Sequence, residues 1–380
     1  MRDIVVLAGS TPWSVLSLCK VGCRYGVKTY VVCVDSSYAQ IYRKSRYVMW
    51  AENIESKHLE VFWASFFLAH SFETKPLLYF TTDTSCLLID QNRSFYESRF
   101  ELCLPSSYII SSFVNKKTAG IEATKYGLEI PKTIEITDEK EVSRVTSEFS
   151  FPVILKPVDS TPENGIGFKM KICLINDFEI TANKLLAKGN SFICQEYISG
   201  KDSDCKYYIF YRDKKGTFQF CCGEKTLQGN GIMVVGTVKR DKRLSDICNK
   251  FINDIDYQGI GGIEFKFNNG HYYFIEMSVR PEGFLPISDM AGVSLADISF
   301  RSLNGCDISA EIQKEDRIYV VVLSWLLVRL KSKQYVELVK EIVGFLFNRH
   351  TYSVGFYLDI FFMLKEYRRM MLNKLAHIFS

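Results

Sequence analysis

Residues 261–283 have the sequence Gly-Gly-Ile-Glu-Phe-Lys-Phe-Asn-Asn-Gly-His-Tyr-Tyr-Phe-Ile-Glu-Met-Ser-Val-Arg-Pro-Glu-Gly, and this stretch determines which fold the chain adopts. Two runs of alternating apolar and polar residues, 263–267 and 272–278, flank the turn sequence Asn268-Asn269-Gly270. This arrangement predicts a β-hairpin. Its two strands carry one glutamate each, Glu264 and Glu276.

The length of the turn decides whether the two carboxylates share a face. A three-residue loop places Glu264 opposite Phe274, with Glu276 two residues further along on the same face, whereas a two-residue loop separates the acids. The three-residue register also gathers an apolar set on the other face: Ile263, Phe265, Phe267, Tyr273, Ile275 and Met277. We therefore expect a three-residue loop and two carboxylates about 7 Å apart.

Two neighbouring carboxylates on such a face suit Mg²⁺ that is held together with nucleotide phosphates. Without a cation the two acids repel each other. The alternative is an exposed hairpin on which Lys266 and Arg280 balance the acids, and the hairpin alone does not separate these hypotheses.

Length and composition indicate an ordinary globular protein of two or three domains, because the chain has 380 residues of which 47% are hydrophobic and 24% charged. The net charge of +4 is small and the basic residues are dispersed, so we expect no nucleic-acid partner. The first apolar run is too short for a signal peptide, which predicts a cytoplasmic protein. Twelve cysteines without a Cys-x-x-Cys spacing are interpreted as reduced core thiols.

Residues 1–111 are predicted to form a Rossmann-like domain. Apolar strands at 4–8, 28–34 and 76–80 alternate with helical segments at 13–25 and 59–71, which is typical of a parallel sheet. The first turn lacks Gly-x-Gly-x-x-Gly, so a dinucleotide site is not expected. Asp83 follows the third strand, where it either touches a ligand or caps the next helix.

Residues 112–310 are predicted to form a mixed α+β domain with several phosphate-binding features. Lys116 begins a helix, and Lys156 ends a buried strand, where an ammonium group needs an anion such as a phosphate. Gly165 and Gly167 lie in a short loop that brings backbone N–H groups close to phosphate, although a plain hairpin turn is the alternative. Backbone groups after the strand at 192–198 suit an adenine edge and Asp202 suits ribose hydroxyls, with a surface turn as the alternative.

Residues 311–380 are predicted to be a mostly helical extension. The apolar run at 318–328 is about half of a membrane span, so we expect a buried helix or strand. Residues 361–380 combine basic and apolar side chains, so weak contact with an anionic membrane surface is an alternative to packing against the protein.

The ordered set of motifs resembles the ATP-grasp superfamily, and most closely its D-aspartate ligase-like carboxylate–amine ligases. The resemblance rests on six features: Lys116 in Asn-Lys-Lys, Lys156 in Val-Ile-Leu-Lys-Pro, the Gly165/Gly167 loop, Gln195-Glu196-Tyr197-Ile198-x-Gly200-x-Asp202, Glu264 in Gly-Ile-Glu-Phe-Lys and Glu276 in Ile-Glu-Met-Ser-Val-Arg. It implies an α/β plus α+β fold, in which a Rossmann-like pre-ATP-grasp domain precedes an ATP-grasp domain of two α+β subdomains. A lid would span about 118–192.

The resemblance also implies ATP and Mg²⁺ or Mn²⁺ as cofactors and assigns roles to the matching residues. Lys116 and Lys156 would hold phosphates beneath the Gly165/Gly167 loop. The Glu196 carbonyl and the Ile198 amide would contact adenine, and Asp202 would hold ribose. The implied metal ligands are Glu264, Glu276 and Ser278, and the implied catalytic residues are Lys156 and Arg280, the latter on a phosphorylated carboxylate.

One departure concerns Ser278, because the family usually has asparagine there, and a serine ligand predicts weaker binding of a second metal ion.

The implied function is an ATP-dependent ligase that joins a small-molecule carboxylate to an amine, or to a thiol, through an acyl phosphate. A non-catalytic ATP-binding regulatory protein is the alternative. Lys225, Lys239 and Arg240 are the candidates for substrate contact, with an ordinary basic surface as the alternative. The sequence leaves open whether the chain forms a homodimer.

Overall fold

A four-stranded parallel sheet forms the first part of the chain, with strand order β3-β2-β1-β4. The computed structural model describes residues 1–9, 11–158, 170–229, 231–360 and 362–364. The elements of this first part are β1 (Ile4–Ala8), α1 (Pro12–Arg24), β2 (Thr29–Val34), α2 (Ala39–Tyr42), β3 (Trp50–Ile54), α3 (Leu59–Ala69), β4 (Leu77–Phe80), α4 (Asp83–Gln91) and α5 (Arg93–Arg99). The predicted strands are confirmed. The edge strand β3 was not predicted, because its polar Glu52 and Asn53 have low β-propensity.

Two helices and an antiparallel sheet follow. The helices are α6 (Ser107–Val114) and α7 (Lys116–Lys125), so the predicted domain boundary at 111/112 falls inside a helix. The sheet has the order β5-β8-β6-β7, and its elements are β5 (Thr133–Ile136), α8 (Glu139–Glu148), β6 (Val153–Pro157), β7 (Met170–Ile172), α9 (Ile175–Leu186) and β8 (Phe192–Glu196). It has its own apolar core, in which Phe178 and Phe192 are fully buried.

A seven-stranded sheet with the order β13-β12-β9-β10-β11-β14-β15 is the largest layer. Its elements are β9 (Cys205–Arg212), β10 (Phe218–Gly229), β11 (Ile232–Val238), α10 (Lys242–Asp254), β12 (Gly259–Asn268), β13 (His271–Ser278), α11 (Pro286–Met290), α12 (Leu295–Leu303), β14 (Ile318–Val320), α13 (Val322–Lys331), α14 (Tyr335–Phe347), β15 (Thr351–Ser353) and α15 (Val354–Leu358). Within its described residues, the predicted C-terminal extension is mostly helical, and it also adds two strands to this sheet.

The first sheet and the seven-stranded sheet share their apolar cores. One shared cluster contains Val5 and Tyr30 of the first sheet together with Tyr208 and Phe265 of the second. This packing fixes the carboxyl end of β4 relative to the hairpin formed by β12 and β13. Within the described ranges, no helix is both long and apolar enough to cross a bilayer.

The turn of the hairpin has two residues, so the predicted three-residue loop is wrong. Asn268 pairs with His271, and the turn residues Asn269 and Gly270 have φ angles of +47° and +84°. Two consecutive residues with positive φ are typical of a type I′ turn, which matches the twist of the flanking strands.

A bulge in β13 nevertheless places Glu264 and Glu276 on the same face of the hairpin. Phe265 pairs with Phe274, but the next residue, Glu264, pairs with Glu276, so Ile275 is an extra residue in the second strand. Such a bulge shifts the alternation of side chains by one residue. The core therefore receives Tyr272 and Phe274, and not the predicted Tyr273 and Ile275.

Candidate functional site

The acidic hairpin faces a buried lysine of the same sheet. Glu264 and Glu276 are direct partners across β12 and β13, and Lys225 of β10 forms an ion pair with Glu264 across the intervening strand β9. The Lys225 side chain is only 3% exposed and that of Glu264 only 14%. The alternative, in which Lys266 balances the acids, is not seen in the structure, since Lys266 donates to the Lys201 carbonyl at 2.6 Å.

This arrangement shifts the pKa of both partners of the ion pair. Burial raises the pKa of Glu264 to about 7; the charges of Glu276 and Glu282 act in the same direction, and the Lys225 ammonium opposes them. Burial alone would lower the pKa of Lys225, but attraction to the three carboxylates outweighs burial and raises it. The Lys225 ammonium is thus a buried cation surrounded by the carboxylates of Glu264, Glu276 and Glu282.

A second group of charges lies at the end of β13. Arg280 Nε donates to Asp83 Oδ1 at 2.9 Å, and its guanidinium lies 3.7 Å from Glu282 Oε2. Ser278 Oγ donates to Glu282 Oε1. Burial opposes the charged form of Arg280, but Asp83 and Glu282 hold its pKa above the usual range. The helix cap of α4 is Thr82, so Asp83 contributes to this charge group and not to the cap.

Glu282 is a site residue that the sequence reasoning missed. It is 9% exposed and lies beside Gly262, where an added Cβ would come within 2.7 Å of Glu282 Cγ. A glycine immediately before the Ile-Glu of the hairpin was therefore the available signal, since it leaves space for a side chain from the loop after β13.

The donor set fits a magnesium ion that completes its coordination with phosphate and water. Four carboxylates face two cations in this cluster: Asp83, Glu264, Glu276 and Glu282 against Lys225 and Arg280. Among the described residues, no group of three or more His, Cys, Asp or Glu side chains is arranged to hold a metal by itself. Mg²⁺ is usually bound by one or two carboxylates plus substrate phosphates, which suits the pair Glu264 and Glu276. Ser278 already donates to Glu282, so it remains only a predicted ligand.

The predicted phosphate-binding residues lie on other elements. Lys156 Nζ, at the end of β6, donates to Gln195 Oε1 of β8 at 2.6 Å. Lys116 is the first residue of α7, which Asn115 caps and which packs against β13. Gly165 and Gly167 lie outside the described residues, so their predicted role stays a prediction.

The segment after β8 contacts the sheet that carries the acids. Glu196 is the last residue of β8 and Ile198 follows it in an extended connection. Asp202 Oδ2 accepts from the Gln228 backbone N–H of β10 at 2.8 Å. The hydrogen bond from Lys266 to Lys201 joins this segment to β12 only two residues from Glu264. The structure thus places the predicted nucleotide segment along the acidic hairpin.

Of the three candidates for substrate contact, Lys225 is the one that pairs with a hairpin acid. Lys239 Nζ lies 3.0 Å from Glu224, and the Arg240 guanidinium donates to the Gln313 carbonyl at 2.8 Å. These two contacts are those of an ordinary basic surface.

Replacing Lys225 by methionine should cost more stability at about pH 8 than at about pH 5. The pKa of Glu264 in the folded protein, about 7, exceeds its usual value of 4.5, so the folded protein holds this proton more tightly than the unfolded chain. That stabilisation is complete below the unfolded pKa and is lost as the pH rises through 7. At higher pH the variant leaves a charged carboxylate without its ammonium, at a cost of roughly 3 kcal/mol.

Urea unfolding at the two pH values measures this difference. The matched control is Lys242→Met, which removes an exposed ion pair with Asp246 and should cost under roughly 1 kcal/mol at both pH values. An equal cost of Lys225→Met at both pH values would show that Glu264 does not titrate in this range.

Comparison with known proteins assigns part of the chain to a family. Residues 122–283 match the sequence pattern of the ATP-grasp domain. A pyruvate carboxylase subunit of Methanothermobacter thermautotrophicus is 24% identical over 215 residues, which cover 53% of this chain and 43% of that protein. The chain therefore matches less than half the length of this relative.

Two solved structures share the fold over most of the chain. N5-carboxyaminoimidazole synthetase of Staphylococcus aureus, complexed with ADP, superposes with a TM-score of 0.66 at 15% identity, covering 84% of this chain and 82% of that one. Biotin carboxylase of Campylobacter jejuni gives a TM-score of 0.64 at 16% identity, covering 83% of this chain and 74% of that one. This chain therefore has the ATP-grasp fold, and residues 122–283 match the ATP-grasp domain.

Proposed function

We propose that the protein is an ATP-dependent ligase that joins the carboxylate of one small molecule to the amine of another, with ADP and phosphate as products. The observation that carries this proposal is the pairing of Glu264 with Glu276 beside Lys225 and Arg280, in a chain with the ATP-grasp fold. A thiol in place of the amine is compatible with the same site. The more specific likeness to D-aspartate ligase-like enzymes remains a prediction.

The reaction follows from the chemistry of carboxylates. A carboxylate is a poor electrophile because its leaving group would be oxide. Transfer of the γ-phosphoryl group of ATP to a carboxylate oxygen gives an acyl phosphate and ADP. Attack by the amine then forms the C–N bond, and phosphate leaves as the amine loses its proton. Phosphoryl transfer needs positioning and charge neutralisation more than covalent help, which suits a cluster of cations.

Each predicted residue has a place in this scheme. Lys116 and Lys156 neutralise phosphate charge, and Gly165 and Gly167 cover the phosphates with backbone N–H groups. The nucleoside is bound by Glu196, Ile198 and Asp202. To bind the ribose, Asp202 gives up the hydrogen bond that it accepts from the Gln228 backbone N–H. Arg280, which Asp83 orients, stabilises the phosphorylated carboxylate.

Glu264 and Glu276 would hold Mg²⁺ or Mn²⁺, with Ser278 as a further oxygen ligand. When bound, the metal ion neutralises phosphate charge and orients the phosphoryl group. Lys225 remains beside Glu264 in this scheme, where it orients that carboxylate and opposes the rise of its pKa. The small antiparallel sheet β5-β8-β6-β7 would serve as the lid predicted at about 118–192 and would exclude water from the acyl phosphate.

A non-catalytic ATP-binding protein is the second candidate. The hydrogen bond from Ser278 to Glu282 favours it, because a serine engaged with a buried carboxylate is a poor metal ligand. Such a protein would bind ATP without turnover.

We expect ADP release that requires both a carboxylate and an amine substrate. The measurement is a coupled ADP assay with Mg²⁺ over a panel of amino acids and hydroxy acids, combined in pairs. ATP binding is measured separately by displacement of a fluorescent nucleotide. Release above background for one pair, with mass spectrometry of the amide product, supports the ligase. ATP binding without release for any pair supports the regulatory protein, and absence of ATP binding contradicts both.

A further inference from the structure

Among the described residues, helix α14 packs on the protein through one side. Helix α13 lies against β10 and β11, and α14 packs against α13. The inward side of α14 carries Leu338 and Phe345, which join the apolar cluster around Trp325. Glu341, on the same side, accepts from Trp325 Nε1 at 2.7 Å and from the Arg329 guanidinium. These contacts fix which face of α14 points outward.

The outward face of α14 is apolar and exposed. Val336, Val339, Val343 and Phe347 follow at intervals of three and four residues, so they lie on one side of the helix and are here named the outer stripe. Their exposed fractions are 63%, 61%, 49% and 86%, in that order. No described side chain of α14 is buried. A contiguous apolar stripe of this kind marks an interaction surface and is not explained by solubility or by the packing of the fold.

The exposed charges around the outer stripe are mostly positive. Lys331 and Lys333 precede α14, Lys340 lies on it, and Arg349 follows it; all four are exposed. Among residues 331–349, Glu337 is the exposed acid, because Glu341 pairs with Arg329 on the inward side.

We infer that the outer stripe of α14 docks on the surface of an anionic lipid bilayer. A helix of 13 residues is about 20 Å long, so it lies parallel to the surface with its apolar side chains inserted at the acyl boundary. The flanking cations then face the anionic headgroups, whose negative surface potential attracts them. A second copy of the chain fits less well, because a symmetric contact through the stripe would bring the same cations against each other.

The test is co-sedimentation of the full-length chain with vesicles. Vesicles of phosphatidylcholine alone are compared with vesicles that contain about 30% phosphatidylglycerol, since the surface charge supplies the attraction. We expect binding to the anionic vesicles only. The double variant Val339→Asp, Val343→Asp should weaken that binding by at least about 10-fold, because two charges would enter the apolar boundary.

Two further variants serve as controls. One tests for non-specific binding through any exposed apolar residue, and the other tests whether the cations next to the outer stripe contribute. Leu68→Asp changes an apolar residue on α3 that is 89% exposed, more than Val339 or Val343, and should bind as the parent does. Lys331→Gln with Lys333→Gln should weaken binding several-fold, and added salt should remove that difference. Thermal unfolding of each variant verifies that it is folded, as expected for exposed positions.

Three results would overturn the inference. The first is absence of binding to anionic vesicles. The second is unchanged binding of the Val339→Asp, Val343→Asp variant, which would place the contact elsewhere, for instance in residues 365–380. The third is a dimer in light scattering that this variant dissociates, which would make a second copy the occupant of the stripe. None of these results depends on ligase activity.

Discussion

Glu276→Gln should lower ADP release by on the order of 1000-fold while leaving the protein folded. The predicted metal contact contributes several kcal/mol to phosphoryl transfer, and each 1.4 kcal/mol is a factor of ten. Glutamine keeps the size of the side chain but removes the charge that attracts a divalent cation. Because Glu276 is exposed, the change should alter the free energy of unfolding little. The coupled ADP assay and urea unfolding measure both quantities.

A matched control lies at the other end of the same hairpin. Glu129 is 53% exposed and lies 2.9 Å from His271 Nδ1, next to the turn. Glu129→Gln also removes one carboxylate from the hairpin region, but it should retain full activity. If Glu276→Gln retains activity as well, or if both variants lose it equally, the metal assignment fails.

Arg280→Gln should lower the turnover number by roughly 100- to 1000-fold with little change in the Michaelis constant for ATP. The proposed contact forms with the phosphorylated carboxylate and not with the bound nucleotide, so the loss should fall on the chemical step. Asp83→Asn should cause a smaller loss of about 10-fold, because Asp83 acts only by orienting the guanidinium through its 2.9 Å hydrogen bond. Steady-state kinetics with varied ATP separates these effects.

Arg212→Gln tests whether the loss of any arginine ion pair on this sheet lowers the turnover number as Arg280→Gln does. Arg212 of β9 is 11% exposed and pairs with Asp256 at 2.7 Å, so its loss should destabilise the fold without affecting turnover. Arg280→Lys should recover part of the activity, since the charge remains but the hydrogen bond to Asp83 is harder to form. Equal kinetic losses in Arg212→Gln and Arg280→Gln would assign Arg280 a structural role only.

Much of the fold could be predicted from local patterns. Buried parallel strands such as β1 and β2 are continuous apolar runs, and the helices α7 and α10 begin at the capping residues Asn115 and Asp241. Strands that depend on distant partners were harder. β14 joins the seven-stranded sheet by pairing with β11 more than 80 residues earlier, and a three-residue apolar run does not reveal such a partner.

The hairpin shows how a correct conclusion can follow from a wrong register. Asn269 and Gly270 form a two-residue turn, and the carboxylates share a face only because Ile275 is bulged. No local propensity marks Ile275 as the extra residue. The bulge is determined by packing, since it keeps Phe274 in the core while turning Glu276 toward Glu264.

The charge partners within the site depend on tertiary structure. Lys225 was recognised as a candidate, but its ion pair with Glu264 crosses an intervening strand, and the sequence does not give the order of strands in a sheet. The contact between Asp83 and Arg280 joins residues 197 positions apart, one at the start of α4 and the other in the loop after β13. The motifs along the chain predicted which residues belong to the site. Which of these side chains contact each other is determined by the tertiary fold.

In the proposed function, Glu264 and Glu276 hold a divalent cation against a triphosphate bound by Lys116 and Lys156. Crystals grown with Mn²⁺ and a non-hydrolysable ATP analogue, measured at the manganese absorption edge, test it most directly. We expect an anomalous peak within about 2.5 Å of both carboxylates, with the phosphates in contact with both lysines. A manganese peak or a nucleotide bound elsewhere, with Lys225 alone between the acids, would contradict it.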